Sequence, residues 1–338
     1  MNFLRKPIFL VITILIILVI LGLASFFFIN QYQASKPLPA LYVDGPYIRR
    51  TDTGEAVLLK GPSSISFSIE REKPFSKISE VLKLQFLDWK INLLRITFDA
   101  VAIMDQSQYQ DLDSLVAYAE KRGIYLILDP VQINSTTIDL PDERIITAMQ
   151  FLAERYSTKT NLMYGLWGSL GGVKWDEWLP WARKIAAAIR EKNPTAIILL
   201  SGTQWGRDFR DFKDKMGEFP FQNFVLAVRD QQWPDLDIRP WWNQFIGKLP
   251  IIVVEFGAGV DKNCEKGSRC DFGYIIETLR IVNKDDQGTK SETPFLHYTF
   301  HPMEDLEKNG VLTDWGEIIS SDLRNYPPTE FKKRWFFF

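Results

Sequence analysis

The side chains that could do chemistry in this chain are few and unevenly spread. Only two histidines, His297 and His301, and two cysteines, Cys264 and Cys270, occur in 338 residues, so a Cys/His metal centre has almost nothing to draw on. No metal and no cofactor is expected. Carboxylates and guanidiniums near the ends of apolar runs remain. Glu255 lies in Ile251–Phe256, Arg95 lies in Leu93–Phe98, and Arg229 and Asp230 follow Phe224–Val228. Asp176 and Glu177 follow Leu162–Trp167 after a short loop. Positioned carboxylates are candidates for general acid–base work. For Asp176 and Glu177 the favoured role is plainer, as first-turn helix acids that complement the helix dipole. For Asp230 it is a loop or salt-bridge role.

Eleven tryptophans form a second chemical resource. Trp167, Trp205 and Trp233 fall at or just beyond apolar runs. Flat rings there can stack on the faces of pyranose sugars, with core or loop packing as the alternative. Trp175, Trp178 and Trp181 recur at helical spacing and are expected in the core. Of the neighbours Trp241 and Trp242, one is expected to be exposed or capped by a loop.

The elements that must position these residues alternate. Eight strand-like runs are Ile65–Ile69, Leu93–Phe98, Ile124–Leu128, Leu162–Trp167, Ala196–Leu200, Phe224–Val228, Ile251–Phe256 and Phe295–Phe300. Helical periodicity is clearest at Leu112–Lys121, Pro141–Tyr156, Trp175–Lys192 and Tyr274–Val282. Arg122-Gly123 and Asn193-Pro194 supply helix stops. Apolar strands alternating with amphipathic helices imply a parallel sheet, and eight units in this length predict a closed α/β barrel, (β/α)8, the TIM barrel. No G-x-G-x-x-G turn follows the first strand, which speaks against a dinucleotide-binding sheet. Tyr42–Lys60 reads as a short β-hairpin around Asp52-Thr53-Gly54. In a barrel the chemistry belongs at the C-terminal ends of the strands.

In this order the residues resemble glycoside hydrolase family 5, the cellulase-like retaining glycosidases. Leu58-Leu59-Lys60-Gly61 resembles the family's lead-in, Ile91–Ile96 its second strand, and Gly123–Asp129 its third. Trp175–Pro194 with Ala196–Gly202 is similar to its fourth helix and fifth strand, and Pro250–Gly257 to its seventh strand. The resemblance spans about residues 41–320. It implies a retaining mechanism with two carboxylates roughly 5–5.5 Å apart, one nucleophile and one acid/base. By resemblance Glu255 is the nucleophile and Arg95 a member of the catalytic set. By strand alternation Ile251, Val253 and Glu255 share a face, so the apolar pair is expected inside the barrel.

The partner acid should come from an Asn-Glu-Pro sequence at the end of the fourth strand, where this chain has Gly168, Ser169 and Leu170. A serine hydroxyl does not ionise near neutral pH and cannot replace it. The family's histidine after the third strand falls near Val131, and its His/Tyr pair near Arg229 and Gln231. The eighth-strand aromatic survives as Phe300. With Trp167, Trp205, Trp233 and Phe300 as substrate-binding candidates, three functions are open. The chain binds or acts on β-linked glycans with impaired hydrolysis, or it is an active hydrolase with Glu255 and a non-standard acid, or it is a non-catalytic surface scaffold. If Arg229 points inward beside Arg95, Glu255 faces two guanidiniums and becomes chiefly an ion-pair acceptor.

The N-terminal segment sets the location. Pro7–Ile29 is almost wholly apolar and, as a helix, spans roughly 35 Å, enough to cross a bilayer core of about 30 Å. It is expected to be an uncleaved signal anchor within residues 1–30, followed by a linker at 31–40 and the barrel at 41–338. Arg5 and Lys6 precede it, which predicts a cytoplasmic N-terminus, a single pass through the cell membrane and an extracytoplasmic barrel. There Cys264 and Cys270 form a local disulfide or stay as two thiols. The expected partners are a poly- or oligosaccharide and the membrane. With 40 basic and 42 acidic side chains there is no basic stripe, and no nucleic-acid partner is expected.

Overall fold

The computed structural model describes residues 14–25, 37–63, 65–67, 89–100, 102–131, 140–168, 170–230, 238–256, 272–283, 296–300, 307–308 and 311–331. Two short antiparallel strands, β1 (Leu41–Asp44) and β2 (Tyr47–Arg50), come first. Nine parallel segments follow: β3 (Lys60–Pro62), β4 (Ile65–Phe67), β5 (Leu93–Asp99), β6 (Tyr125–Val131), β7 (Leu162–Gly165), β8 (Ile197–Ser201), β9 (Phe224–Asp230), β10 (Ile251–Phe256) and β11 (Leu296–Phe300). Their order around the sheet is sequential, with β3 on β11 at one end and β4 on β5 at the other. Because β3 and β4 are successive pieces of one strand, the ladder returns to itself as an eight-stranded barrel. Pro62 has no N–H to give a ladder, so the first strand breaks there. That strand therefore starts five residues earlier than its apolar run suggests.

Five longer helices accompany the strands: α1 (Gln106–Arg122), α2 (Glu143–Arg155), α3 (Trp175–Lys192), α4 (Phe272–Asn283) and α5 (Asp314–Asn325). Their ends follow local chemistry. Asp105 caps α1 by accepting from the Ser107 N–H, and Gly123 closes it in the left-handed region at φ 79°. The Lys174 N–H donates to Glu177 at 2.9 Å at the start of α3. Trp178 is fully buried, Trp175 nearly so, and Trp181 packs against the same core. Trp242 is also fully buried, while Trp241 lies 4.1 Å beneath the Arg210 guanidinium.

Two apolar layers result. The outer one, between strands and helices, includes Leu94, Ile96, Leu126, Ile251 and Val253. The inner one fills the barrel with Leu93, Ile127, Met163, Leu199, Ile252 and Val254. Leu41, Ile48, Val57 and Leu59 join that inner layer, so the hairpin plugs the barrel's base. The tight turn between β1 and β2 is Gly45-Pro46, with Gly45 at φ 56°, and Asp52–Gly54 forms a second turn just after β2. Lys60 reaches out of β3 to Asp322 of α5 at 2.9 Å, fastening the first strand to the last helix.

Among the described residues no helix is long and apolar enough to cross a membrane. Of the expected span, residues 14–25 are helical, and the remainder lies outside the described residues.

Candidate active site

Arg95 is the centre of the site. It lies on the inner face of β5, fully buried, and spends its donors on three partners. Nε and Nη2 both donate to Asp129 Oδ2, at 2.8 and 2.5 Å. Nη1 donates to Ser63 Oγ at 3.0 Å and to Glu255 Oε2 at 3.2 Å. Burial works against the guanidinium's charge, but Asp129 and Glu255 outweigh it and hold its pKa above the ordinary value.

Glu255 reaches this centre by an irregularity that alternation does not foresee. Ile252 pairs with Ala227 on the inner face and Val253 with Val228 on the outer face, but Glu255, not Val254, pairs with Arg229. Val254 is the extra residue of a β-bulge, and it and Glu255 both face inward. The expectation that Ile251 and Val253 point into the barrel is therefore corrected, since both face the helices. Glu255 keeps 16 % side-chain exposure and takes a second guanidinium, Arg229 Nε, at 3.4 Å. Burial pushes the Arg229 guanidinium down, and the attraction of Glu255 only partly offsets it.

Asp129 is the site residue that sequence reasoning missed. It is 4 % exposed and occupies space that strand four leaves open. A Cβ on Gly165 would lie 2.4 Å from Asp129 Oδ1. A Cβ on Gly168 would lie 2.9 Å from Val131 Cγ1, 3.0 Å from Asp129 Oδ2 and 3.3 Å from Arg229 Nη2. The two glycines are thus the counterpart of the Asp129 carboxylate, and an acidic residue closing a buried strand opposite glycines was the available signal. The Asp129 carboxyl is engaged with Arg95, whose Nε and Nη2 both donate to Oδ2, while its buried Oδ1 has no hydrogen-bond partner among the described residues.

The other carboxylates lie elsewhere. Asp230 pairs with Phe256 on the outer side and accepts from the Thr278 hydroxyl of α4 at 2.5 Å. Asp176 forms an ion pair with Lys215 at the exposed start of α3, and Glu177 caps the same helix.

Two aromatic candidates do not line the mouth. Trp167 is 3 % exposed within the outer core, and its buried Nε1 has no hydrogen-bond partner among the described residues. Phe300 is fully buried there too, against Trp89 and Tyr298, because its place on β11 puts it on the helix side. Trp205 is half-buried in the loop after β8, where Gln204 and Trp205 take left-handed φ of 50° and 59°. Such backbone costs about 1–2 kcal/mol per non-glycine residue and persists only where surroundings enforce it. The Trp205 N–H donates to the Leu170 carbonyl, and Gly206 packs on Arg229, 3.3 Å from its Cγ to a would-be Cβ. Ser169, Trp233, Cys264 and Cys270 lie outside the described residues. Among the described residues no group of His, Cys, Asp and Glu could hold a metal ion.

Comparison with known proteins places this geometry. Residues 52–283 match the model of the cellulase family, glycosyl hydrolase family 5. Endoglucanase CelA of Streptomyces lividans is 26 % identical over 259 residues, 69 % of this chain and 54 % of that protein. Endoglucanase N of Pectobacterium atrosepticum is 26 % identical over 146 residues, 42 % of this chain and 32 % of that protein. The chain thus spans a third to about half the length of these relatives. Among solved structures, the native form of a β-glucanase from Saccharophagus degradans superposes with TM-score 0.71 at 16 % identity, covering 86 % of this chain and 95 % of that one. The catalytic domain of a Thermobifida fusca endoglucanase gives 0.67 at 17 %, covering 84 % and 97 %.

Proposed function

Because the chain belongs to the cellulase family, glycosyl hydrolase family 5, we propose that it engages β-linked glycans at the barrel mouth with hydrolysis impaired. The observation that carries this is the state of Glu255. Its Oε2 is shared between Arg95 and Arg229, while the fourth-strand end that should face it supplies Gly168 and Ser169 rather than a carboxylate. A retaining glycosidase needs the second carboxylate to protonate the leaving oxygen and later to activate water. General acid–base help is worth about 10²–10⁴-fold, and a sugar leaving group depends on it. A carboxylate held by two guanidiniums is also a weakened nucleophile. Trp205, held half-exposed beside the mouth by strained backbone, supports a retained ligand surface.

The N-terminal helix supports attachment to the cell membrane. Every large apolar side chain from Ile14 to Leu23 is about half exposed or more, around the whole helix, as suits a lipid environment. The chain then enters the barrel at its base through β1 and β2, so anchoring leaves the mouth facing away from the bilayer, outside the cell by the positive-inside rule. Recovery of a chain lacking residues 1–36 in the membrane fraction would rule the anchor out.

A second reading, an active hydrolase, draws on the Arg95–Glu255 contact and the 16 % exposure that Glu255 keeps. The full-length chain in detergent micelles, titrated with cello-, manno- and laminari-oligosaccharides, separates the two. Saturable binding without turnover is expected. Cleavage that Glu255→Gln abolishes would overturn impairment. Absence of any binding or cleavage would leave a scaffold role.

A further inference from the structure

The mouth carries a guanidinium only half used by the protein. Arg229 meets Glu255 through Nε at 3.4 Å, and neither Nη1 nor Nη2 has a hydrogen-bond partner among the described residues. The side chain is only 17 % exposed, so water satisfies those donors poorly. Two glycines border the fork. Gly168 stands beside Nη2, where a Cβ would already be 3.3 Å away, and Gly206 stands beside the aliphatic stem. Glu255 meets Arg229 on the ε side, through the same Oε2 that Arg95 uses.

Guanidinium is planar and presents two parallel N–H donors along its Nη1/Nη2 edge, a geometry matched by a carboxylate with two oxygens and only singly met by a sugar hydroxyl. Arg95 differs, since Asp129, Ser63 and Glu255 account for its donors. Burial lowers the pKa of Arg229, whereas Asp129 and Glu255 raise that of Arg95. From this geometry we infer that the glycan bound at the mouth is an acidic one, with a uronate carboxylate docked on the Nη1/Nη2 edge of Arg229 above Gly168. The inference rests on the glycan-binding function proposed above and names its substrate class.

The test is calorimetric titration of the full-length chain in detergent micelles with two matched probes. One is cellotetraose, the other the same tetraose with a terminal C6 oxidised to the carboxylate. The acidic probe should bind about tenfold more tightly at low salt, the increment of one charge-assisted bidentate contact. Arg229→Gln should remove that preference. Arg229→Lys, which keeps the charge but not the fork, should retain part of it and guards against a misfolded first variant. Equal affinities for the two probes, or a preference that survives Arg229→Gln, would overturn the inference while leaving glycan binding intact. If neither probe binds, both readings fall.

Discussion

Gly168 lies against Asp129 and Arg229, and the structure makes a quantitative statement about adding a side chain there. Alanine adds one carbon. That carbon would meet Val131 Cγ1 at 2.9 Å, Asp129 Oδ2 at 3.0 Å and Arg229 Nη2 at 3.3 Å, and two of these side chains are already engaged, Asp129 by Arg95 and Arg229 by Glu255. Overpacking of this kind costs typically 1–3 kcal/mol, while the loss of unfolded-state freedom returns about 0.4–1 kcal/mol. The net expectation for Gly168→Ala is a loss of about 1–2 kcal/mol, or roughly 1–3 °C in melting temperature at an unfolding entropy of about 2.1 cal/mol/K per residue. Gly217 supplies the control, because a Cβ there meets nothing within 4 Å. Gly217→Ala should be neutral or slightly stabilising. Thermal melts of both variants and the parent, followed by circular dichroism in the same detergent, decide the matter. If Gly168→Ala melts with Gly217→Ala, the claim that Asp129 and Arg229 pack against the bare backbone of Gly168 is wrong.

Other consequences follow from the same contacts. Glu255→Ala strands Arg95 and Arg229 without their shared acceptor and should lower stability by about 3 kcal/mol, the low end for a buried pair given the 16 % exposure of Glu255. Urea titration at pH 7.5 reads this, and a variant as stable as the parent would mean that the pairing contributes nothing. His297 is fully buried, with Nδ1 accepting the Leu59 N–H at 3.0 Å, and burial, with a smaller push from Lys60, lowers its pKa to about 3. The unfolded chain takes up that proton near pH 6.5 and the folded one does not. The stability contributed by neutral His297 is therefore full above pH 6.5 and is lost as pH falls from there toward 3. Between pH 7.5 and 5.5 the parent should lose about 1.4 kcal/mol that His297→Gln does not, and parallel losses in the two proteins would refute the assignment.

Much of the architecture is legible locally. Burial on both faces makes strands read as short apolar runs, and caps such as Asp105 and Gly123 end helices by contacts within one turn. Accordingly Ile251–Phe256 and Trp175–Lys192 have the same limits in the sequence pattern and in the structure. Glu255 and Arg95 stand out for the same reason, as charged residues inside apolar strands. What the chain could not disclose along its length is which way they point and what they meet. Alternation assigns faces only while register holds, and the extra residue Val254 resets it just before Glu255. Asp129 lies on β6, Gly165 ends the neighbouring β7 and Gly168 follows it, and only the pairing of these two strands brings the carboxylate into the space the glycines leave. Trp167 and Phe300 look alike as aromatics at strand ends, yet packing turned both toward the helices. Residue type and spacing determined the barrel and the list of chemically capable side chains. Register and close packing, which depend on residues far apart in the chain, decided that those side chains neutralise one another.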